Sequence, residues 1–515
     1  YLALKQLWLF GWPVLTGLGF WLGHRFLAPI GGPWWQRPLL AKQPMVEAKS
    51  PSMITMSVLM VLTLLAPWVL FGLSALTHVT VVETGEVVAY PWFPFWLAGL
   101  ASMVAGIVIR QQPTALPALA IAYLGTALLW PIFGGLPGAL GPMDYFHEGE
   151  MLVPGAGLLE GLLPWRDLQM IHGPFFDAVR GALGQAVFEP SRWGAVAGIH
   201  AILNPLYFIT WFWFFAWLVP GGRGGKVVLA FLATLVVASL DPFIHVRLLL
   251  LAPLLLATGW FLTAPDLKRA LLMVLIGVLL ALGTPEAVFA TFAVAVVVIA
   301  RDLTQPRPWD FSATKPAVIA GVLVGGAAMG LIALSGMLPG MLHHLLEFPR
   351  DHDLAGAIPF GQDARVWMIG GLGAMVLALI IAAITSQLWR LWMARSDGDN
   401  LSARGWVLLA AALFALLYFQ KLVNRLDGHV FHVIAATAPL IGWAVISLIQ
   451  RVQAFLPQTI ARWQPIALAA LIAVALIGPA WLKDERAGMK ARWAAPAPDL
   501  VPWRVLSQWQ PQVPT

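Results

Sequence analysis

Long apolar stretches, interrupted by Pro, Gly and single charged residues, recur along the whole chain. Most approach the roughly 20 apolar residues that a helix needs to cross a bilayer, and several are shorter. The pattern therefore predicts an all-α polytopic membrane protein with about 12–14 transmembrane helices. The predicted helices lie near residues 4–22, 53–77, 92–109, 114–134, 196–219, 226–240, 247–264, 270–283, 286–300, 316–338, 366–387, 405–420, 432–449 and 464–482.

Composition supports a membrane protein and excludes several other classes. Hydrophobic residues make up 59% of the 515 residues and charged residues only 11%, against about 25% charged in ordinary soluble domains. The chain has no Cys, which excludes disulfides and thiolate metal sites. The basic residues are scattered singly and form no basic arm, so we expect no nucleic-acid partner.

The distribution of Lys and Arg predicts the orientation of the bundle. If the predicted helices cross the membrane alternately, one set of connections carries more cations than the other, and it contains Arg269, Arg301 and Arg404. Short loops rich in Lys and Arg stay in the cytoplasm. Residues 135–195 would then face the exterior, together with polar loops near 343–365 and 421–432.

These patterns divide the chain into four parts. Residues 1–134 are predicted to form the N-terminal transmembrane helices, and 196–483 the main transmembrane bundle. Residues 135–195 form the first large external loop, where 151–163 and 174–188 have apolar residues at helical spacing, which is typical of amphipathic helices at the membrane surface. Residues 484–515 form a tail rich in Pro and Trp.

The external loop gathers titratable groups in the stretch DYFHEGEMLVPGAGLLEGLLPWRDLQMIHGPFFD, residues 144–177. Glu148, Asp144 and Glu150 are candidates for a general base, because carboxylates that are partly desolvated can be tuned for that role. The alternative is a solvated acidic loop. His147 and His172 could ligate a divalent metal with these carboxylates, although the spacing is not the HExxH of a helix-borne zinc site.

Other candidates are polar groups beside the predicted helices. Arg247 at a helix start suits a phosphate, or is an Arg that extends its charge to the membrane interface. Glu286 is either part of a site or an acid in the first turn of a helix. Arg350 could bind an anion or balance nearby acids. The remaining candidates at a helix entrance are Arg425, Asp427, His429 and His432.

Three short elements of the external loop resemble the corresponding loop of the bacterial GT-C superfamily of polytopic membrane glycosyltransferases. These are His147-Glu148-Gly149, the turn from Gly161 to Asp167, and His172-Gly173-Pro174. The run RLDGH at 425–429 is similar to a late element in some relatives. His147 stands where relatives commonly have Asp, so the resemblance favours Glu148 as the base, with Asp144 as the alternative.

The resemblance implies a GT-C fold and an activity. Such enzymes transfer a sugar from a polyprenyl-phosphate carrier to a lipid, glycan or protein acceptor on the external face, usually with inversion. An external carboxylate acts as base, cationic residues steady the phosphate, and His147, Glu150, Arg166, Asp167 and His172 would line the substrate site. The resemblance implies no definite cofactor, and a divalent metal is one option. The predicted location is the bacterial inner membrane, with the site facing the periplasm.

Two other function classes are compatible with a polytopic bundle. A glycan polymerase or ligase that uses diphosphate-linked donors would share the topology and the external Arg residues. A transporter would place ionisable residues near the middle of its helices, whereas the charges of this chain are predicted to lie at helix ends.

Overall fold

The computed structural model describes two short strands and most of the chain between residues 148 and 455. Strands β1 (His78–Thr80) and β2 (Val87–Ala89) pair antiparallel, with Val79 opposite Val88. Within 148–455, the described residues exclude 188–189, 191, 193–194, 196–198, 200–202, 220–228, 231–232, 235, 238–245, 306–310, 347–365, 397–399 and 425–428. The predicted helices before residue 135 and at 464–482 therefore lie outside the described residues.

The described part between 148 and 455 is predominantly helical. The external loop has helices α1 (Gly149–Leu159) and α2 (Arg180–Val187), with a π-helical turn at Phe175–Val179 before α2. The following helices are α3 (Asn204–Leu218), α4 (Leu251–Thr263), α5 (Leu267–Gly283), α6 (Val288–Leu303), α7 (Thr314–Ala320), α8 (Gly326–Leu334), α9 (Leu338–Leu346), α10 (Val366–Ser396), α11 (Ala403–Tyr418), α12 (Gln420–Asn424), α13 (Val430–Ala436) and α14 (Ala438–Phe455). The all-α prediction agrees with this part of the chain.

Several apolar helices are long enough to cross a membrane, which is consistent with an integral membrane protein. Within the described residues, four spans meet this criterion by length and composition: Val246–Thr263, Thr314–Leu334, Ile369–Ser396 and Ala403–Val423. A fifth is possible if α13 and the start of α14, which are bent by 63°, form one broken span. The bend lies where Thr437 precedes Ala438 and Pro439, and Pro lacks the N–H that would continue a helix.

Local sequence sets the helix ends that orient the bundle. The Asp266 side chain accepts a hydrogen bond from the Arg269 N–H at 2.9 Å and caps α5, as expected for Asp at an N-cap. Ser402 caps α11 in the same way by accepting from Gly405 N–H at 3.3 Å.

The core is formed by apolar side chains from α3, α4, α6, α11 and α14. It includes the fully buried side chains Trp211, Phe215, Phe261, Trp406 and Phe414. The helices approach closely where a neighbour is small, as at Gly442, where an added Cβ would lie 2.0 Å from the Phe215 ring. Small residues at such contacts are typical of helix packing in membranes.

The two ends of the bundle differ in which elements lie there. Helix α5 ends at Gly283 and α6 begins at Val288, and the loop containing α1 and α2 packs at this end. Gly173 of the loop, with φ +101°, lies so close to Pro285 that an added Cβ would be 2.5 Å from its Cδ. We call this the loop end. The opposite end contains the α4–α5 connection and the end of α6 at Leu303.

Candidate functional site

A buried carboxylate, Asp177, fixes the local fold of the loop. One oxygen of Asp177 accepts hydrogen bonds from the backbone N–H groups of Ile171 and His172, at 2.6 and 2.7 Å. Asp177 is 1% exposed. Because both donors belong to the backbone, this carboxylate fixes the course of the chain around His172.

Arg166 and Asp167 hold the preceding turn against the bundle. Asp167 accepts from Leu163 N–H at 2.9 Å and from Arg166 Nη2 at 2.7 Å, while Arg166 Nη1 donates to the Ser335 carbonyl at 3.1 Å. The hydrogen bond from Arg166 lowers the pKa of Asp167 below its usual range. The backbone of Trp165 in this turn is left-handed, with φ 60°. The two predicted site residues thus form a turn on the exposed rim of the loop end.

Glu150 and His172 form a pair in which Glu150 is buried and His172 is half-buried. Glu150 lies in the first turn of α1 and is 8% exposed. Its Oε2 is 3.4 Å from Nε2 of His172. Burial lowers the pKa of His172 below its usual range, and although Glu150 opposes that effect, Arg247 adds to it. His172 is therefore neutral at pH 7 and can donate one ring N–H to Glu150.

Two cationic side chains of the site contact the ring of Phe176. The guanidinium carbons of Arg180 and Arg247 lie 3.6 and 4.2 Å from the centre of its ring, within the range of cation–π contacts. His172 meets the same ring edge-on, with centroids 5.5 Å apart. Burial and the nearby Arg247 lower the pKa of Arg180 to about 9, so it remains charged at pH 7. One aromatic side chain therefore joins two cations to the Glu150–His172 pair.

Glu286 links this group to the end of α11. Its carboxylate accepts from Lys421 Nζ at 2.7 Å and from the Tyr418 hydroxyl at 2.8 Å, and it lies 3.6 Å from Arg247 Nη1. Burial would raise the pKa of Glu286, but Lys421 and Arg247 outweigh it and hold the pKa well below its usual range. Thr284 Oγ1 also donates to the Arg247 carbonyl at 3.2 Å. Glu286 is therefore an ionised anchor with its charge already compensated.

Three buried polar atoms of the cluster have no hydrogen-bond partner among the described residues. They are Glu150 Oε1, Asp177 Oδ1 and Arg180 Nε. A buried polar group without a partner is destabilising by about 1–3 kcal/mol, and native proteins contain few of them. Burial has the largest influence on the pKa of Asp177 and raises it above its usual range. Two acceptors and one donor thus remain available for a ligand in one small region.

The other predicted site residues have different positions. Glu148, half-buried at the start of α1, forms a two-point ion pair with Arg192, with Nη2 2.7 Å from Oε1 and Nε bonded to Oε2. The ring of His429 stacks on His432, with centroids 4.9 Å apart. Asp144, His147, Arg350, Arg425 and Asp427 lie outside the described residues.

Sequence reasoning assigned no role to several residues of the cluster. They are Phe176, Arg180, Tyr418, Lys421 and Arg192, and Asp177 is the last residue of the titratable stretch 144–177. The available signal for Lys421 was its position directly after a long apolar run, where a charge borders a membrane span.

The described part of the chain contains no group of three or more His, Asp and Glu side chains that could hold a metal ion. Glu148 and His172, two of the predicted ligands, contact Arg192 and Glu150 respectively. Comparison of the chain with models of protein families, with curated proteins and with solved structures found no match.

Proposed function

We propose that this protein is a membrane glycosyltransferase of the GT-C type, which transfers a sugar from a polyprenyl-phosphate carrier to a lipid, glycan or protein acceptor. The reaction would occur at the loop end, on the external face of a bacterial inner membrane. The observation that carries the proposal is the grouping of two cations, a buried carboxylate and its imidazole partner around Phe176 at one end of an apolar helical bundle.

The cations suit a phosphate leaving group. Arg180 and Arg247 repel each other, since each guanidinium is held beside the same ring. An anion bound to either guanidinium would relieve that repulsion, and Arg180 Nε has no hydrogen-bond partner among the described residues. Arg presents several fixed N–H donors that match the geometry of a phosphate. Negative charge that develops on a departing phosphate would be stabilised here by groups already in place.

The reaction then requires one proton acceptor. The acceptor hydroxyl oxygen attacks the anomeric carbon, the bond from that carbon to the phosphate oxygen breaks, and its electron pair remains on the phosphate. The hydroxyl proton passes to a carboxylate of the loop, and attack opposite the leaving group inverts the anomeric centre. Such proton transfer contributes typically about 10²–10⁴-fold to a rate.

The location of the charges favours an enzyme over a transporter. Glu286 and the Glu150–His172 pair lie at the loop end, where α5 ends and α6 begins. A transporter would place its ionisable groups near the midplane of the bilayer. A ligase for diphosphate-linked donors is a second candidate, because the same cations would suit a diphosphate.

The deciding experiment compares the two donor classes. Full-length protein in liposomes would receive labelled polyprenyl-phosphate hexoses and pentoses, or their diphosphate-linked counterparts, with a membrane extract that supplies acceptors. We expect sugar transfer and release of polyprenyl phosphate with at least one phosphate-linked donor. Turnover of diphosphate-linked donors alone would reject the proposal in favour of the ligase.

A further inference from the structure

Glu148 and Glu150 are two residues apart in the loop but have opposite surroundings. Both oxygens of Glu148 are bonded to Arg192. A carboxylate held by a guanidinium at two points is stabilised in its charged form, which makes it a weak proton acceptor. To act as a base, Glu148 would have to give up that pair.

Glu150 has the complementary arrangement. One oxygen faces His172, and the other, Oε1, is buried with no hydrogen-bond donor among the described residues. An ionised carboxylate accepts hydrogen bonds and cannot donate them, so the group that completes this site must be a donor. A hydroxyl group is such a donor, and it would bring its proton directly to the unoccupied oxygen.

The surroundings of Glu150 also place it beside the cations. His172 contacts Glu150 on one side and meets the Phe176 ring on the other. The same ring carries Arg180 and Arg247. A sugar whose phosphate contacts the Arg residues on this ring would therefore have Glu150 close to it, whereas Glu148 is bonded to Arg192.

We infer that Glu150, held in place by His172, is the general base that accepts the proton of the acceptor hydroxyl, and that Glu148 is not. This inference depends on the proposed glycosyl transfer and specifies the residue that performs one step of it. The proton moves from the hydroxyl to Glu150 Oε1 as the new glycosidic bond forms and the sugar–phosphate bond breaks. His172 is a positioning residue, since its ring N–H occupies Oε2 and leaves Oε1 for the substrate.

The test uses one substitution at three positions of the same segment. Glu150→Gln, Glu148→Gln and Glu160→Gln each remove one negative charge with little change of shape, and Glu160 is an exposed residue at the other end of α1. We expect Glu150→Gln to lower turnover by about 10²-fold or more, with donor affinity within about twofold of wild type. Glu160→Gln should match wild type, and Glu148→Gln should retain at least ten times the turnover of Glu150→Gln.

The variants are assayed with the labelled donor class that the wild-type protein turns over. Failure of the proposed function can therefore be distinguished from failure of the inference about Glu150. Turnover of diphosphate-linked donors alone rejects the proposed function, and the three variants then test Glu150 with that donor. Wild-type activity combined with an active Glu150→Gln, or with a Glu148→Gln that loses more than Glu150→Gln, overturns the inference and leaves the function intact. No turnover of either donor overturns both.

A second variant distinguishes loss of the proton acceptor from misfolding. Glu150→Asp keeps the carboxylate on a side chain one methylene shorter, and its melting temperature in detergent should match that of Glu150→Gln. We expect Glu150→Asp to recover measurable turnover relative to Glu150→Gln, because the proton acceptor is retained. Equal loss in both variants at equal stability would indicate a structural role and overturn the inference.

Discussion

Buried carboxylates occur at both ends of the bundle, but they are used differently. At the opposite end, Asp302 is 1% exposed, and its two oxygens accept from the backbone N–H groups of Ala313 and Thr314 and from the Arg301 side chain, at 2.6 to 3.3 Å. At the loop end, Glu150 and Asp177 are also buried, yet each keeps one oxygen without a partner in the described structure. Complete pairing is typical of structure, and incomplete pairing of a site that a ligand completes.

The two ends also differ in how far apart in the sequence their paired charges lie. Asp266 and Asp302 at the opposite end are paired with Arg269 and Arg301, their near neighbours in sequence. The loop end has the short-range pair Arg166–Asp167 on its rim, but it also joins residues far apart in the chain, such as Glu286 with Lys421. Short-range pairs mainly fix helix ends, whereas the long-range group converges on one small volume. This contrast is why we assign chemistry to the loop end.

The largest effect on stability should come from the fully paired carboxylate. Asp302→Asn replaces an accepting oxygen with an NH₂ group that faces backbone donors, and we expect it to lower the free energy of unfolding by about 2 kcal/mol. Asp177→Asn should cost less, because only one oxygen of Asp177 accepts hydrogen bonds. Melting temperatures of both variants in the same detergent measure the difference. A larger loss for Asp177→Asn would remove the distinction between the two ends.

We expect a change of pH to have a smaller effect on stability. Burial holds the pKa of His172 below its usual 6.5, so below that value the unfolded chain binds more protons than the folded protein. Stability contributed by neutral His172 is therefore full at higher pH and is lost as the pH falls below about 6.5. Burial lowers the pKa of His344 as well, so His344 acts in the same direction.

The measurement is the melting temperature between about pH 7.5 and about pH 5.5. The groups that face His172 are Glu150, Asp177 and Arg247, and they are retained in His172→Gln. This variant should lose less stability than wild type over the same range. Parallel curves for the two proteins would show that His172 is not held neutral by burial.

Five helices after residue 246 were predictable because each is a long apolar run ended by a capping residue or a break. The segments predicted at 247–264, 270–283, 286–300, 366–387 and 405–420 match helices in the structure to within a few residues, apart from the end of α10, which continues to Ser396. The predicted helix at 432–449 is instead two helices with a 63° bend. Pro439 gave a local signal for that break.

The candidate site was only partly predictable. Loop acids and histidines stand out against apolar neighbours, so Glu150, His172, Arg247 and Glu286 could be selected from sequence. Their partners could not, because Lys421 reaches Glu286 across 135 positions. Phe176 looked like an ordinary apolar residue of an amphipathic helix, and only the folded chain places two guanidinium groups on its ring.

The pairing of Glu148 with Arg192 shows the same limit. Sequence favoured Glu148 as the base through its place in a family-like motif, and that assignment remains a prediction that the three-variant experiment tests. The contact with Arg192, 44 positions away, depends on how the loop returns to α1. Motif position can therefore select the loop but cannot choose between two carboxylates that differ only in their surroundings.

The central claim is that the loop end binds the phosphate of a lipid-linked sugar and the opposite end does not. The most direct measurement is the affinity of the full-length protein for labelled polyprenyl-phosphate sugar after Arg247→Ala, with Arg269→Ala at the opposite end as the matched control. A hydrogen bond to a charged group contributes about 1.5–3 kcal/mol, so we predict binding weaker by about 10-fold or more for Arg247→Ala, and wild-type affinity for Arg269→Ala. Equal affinity in all three proteins, at comparable melting temperatures, would contradict the account.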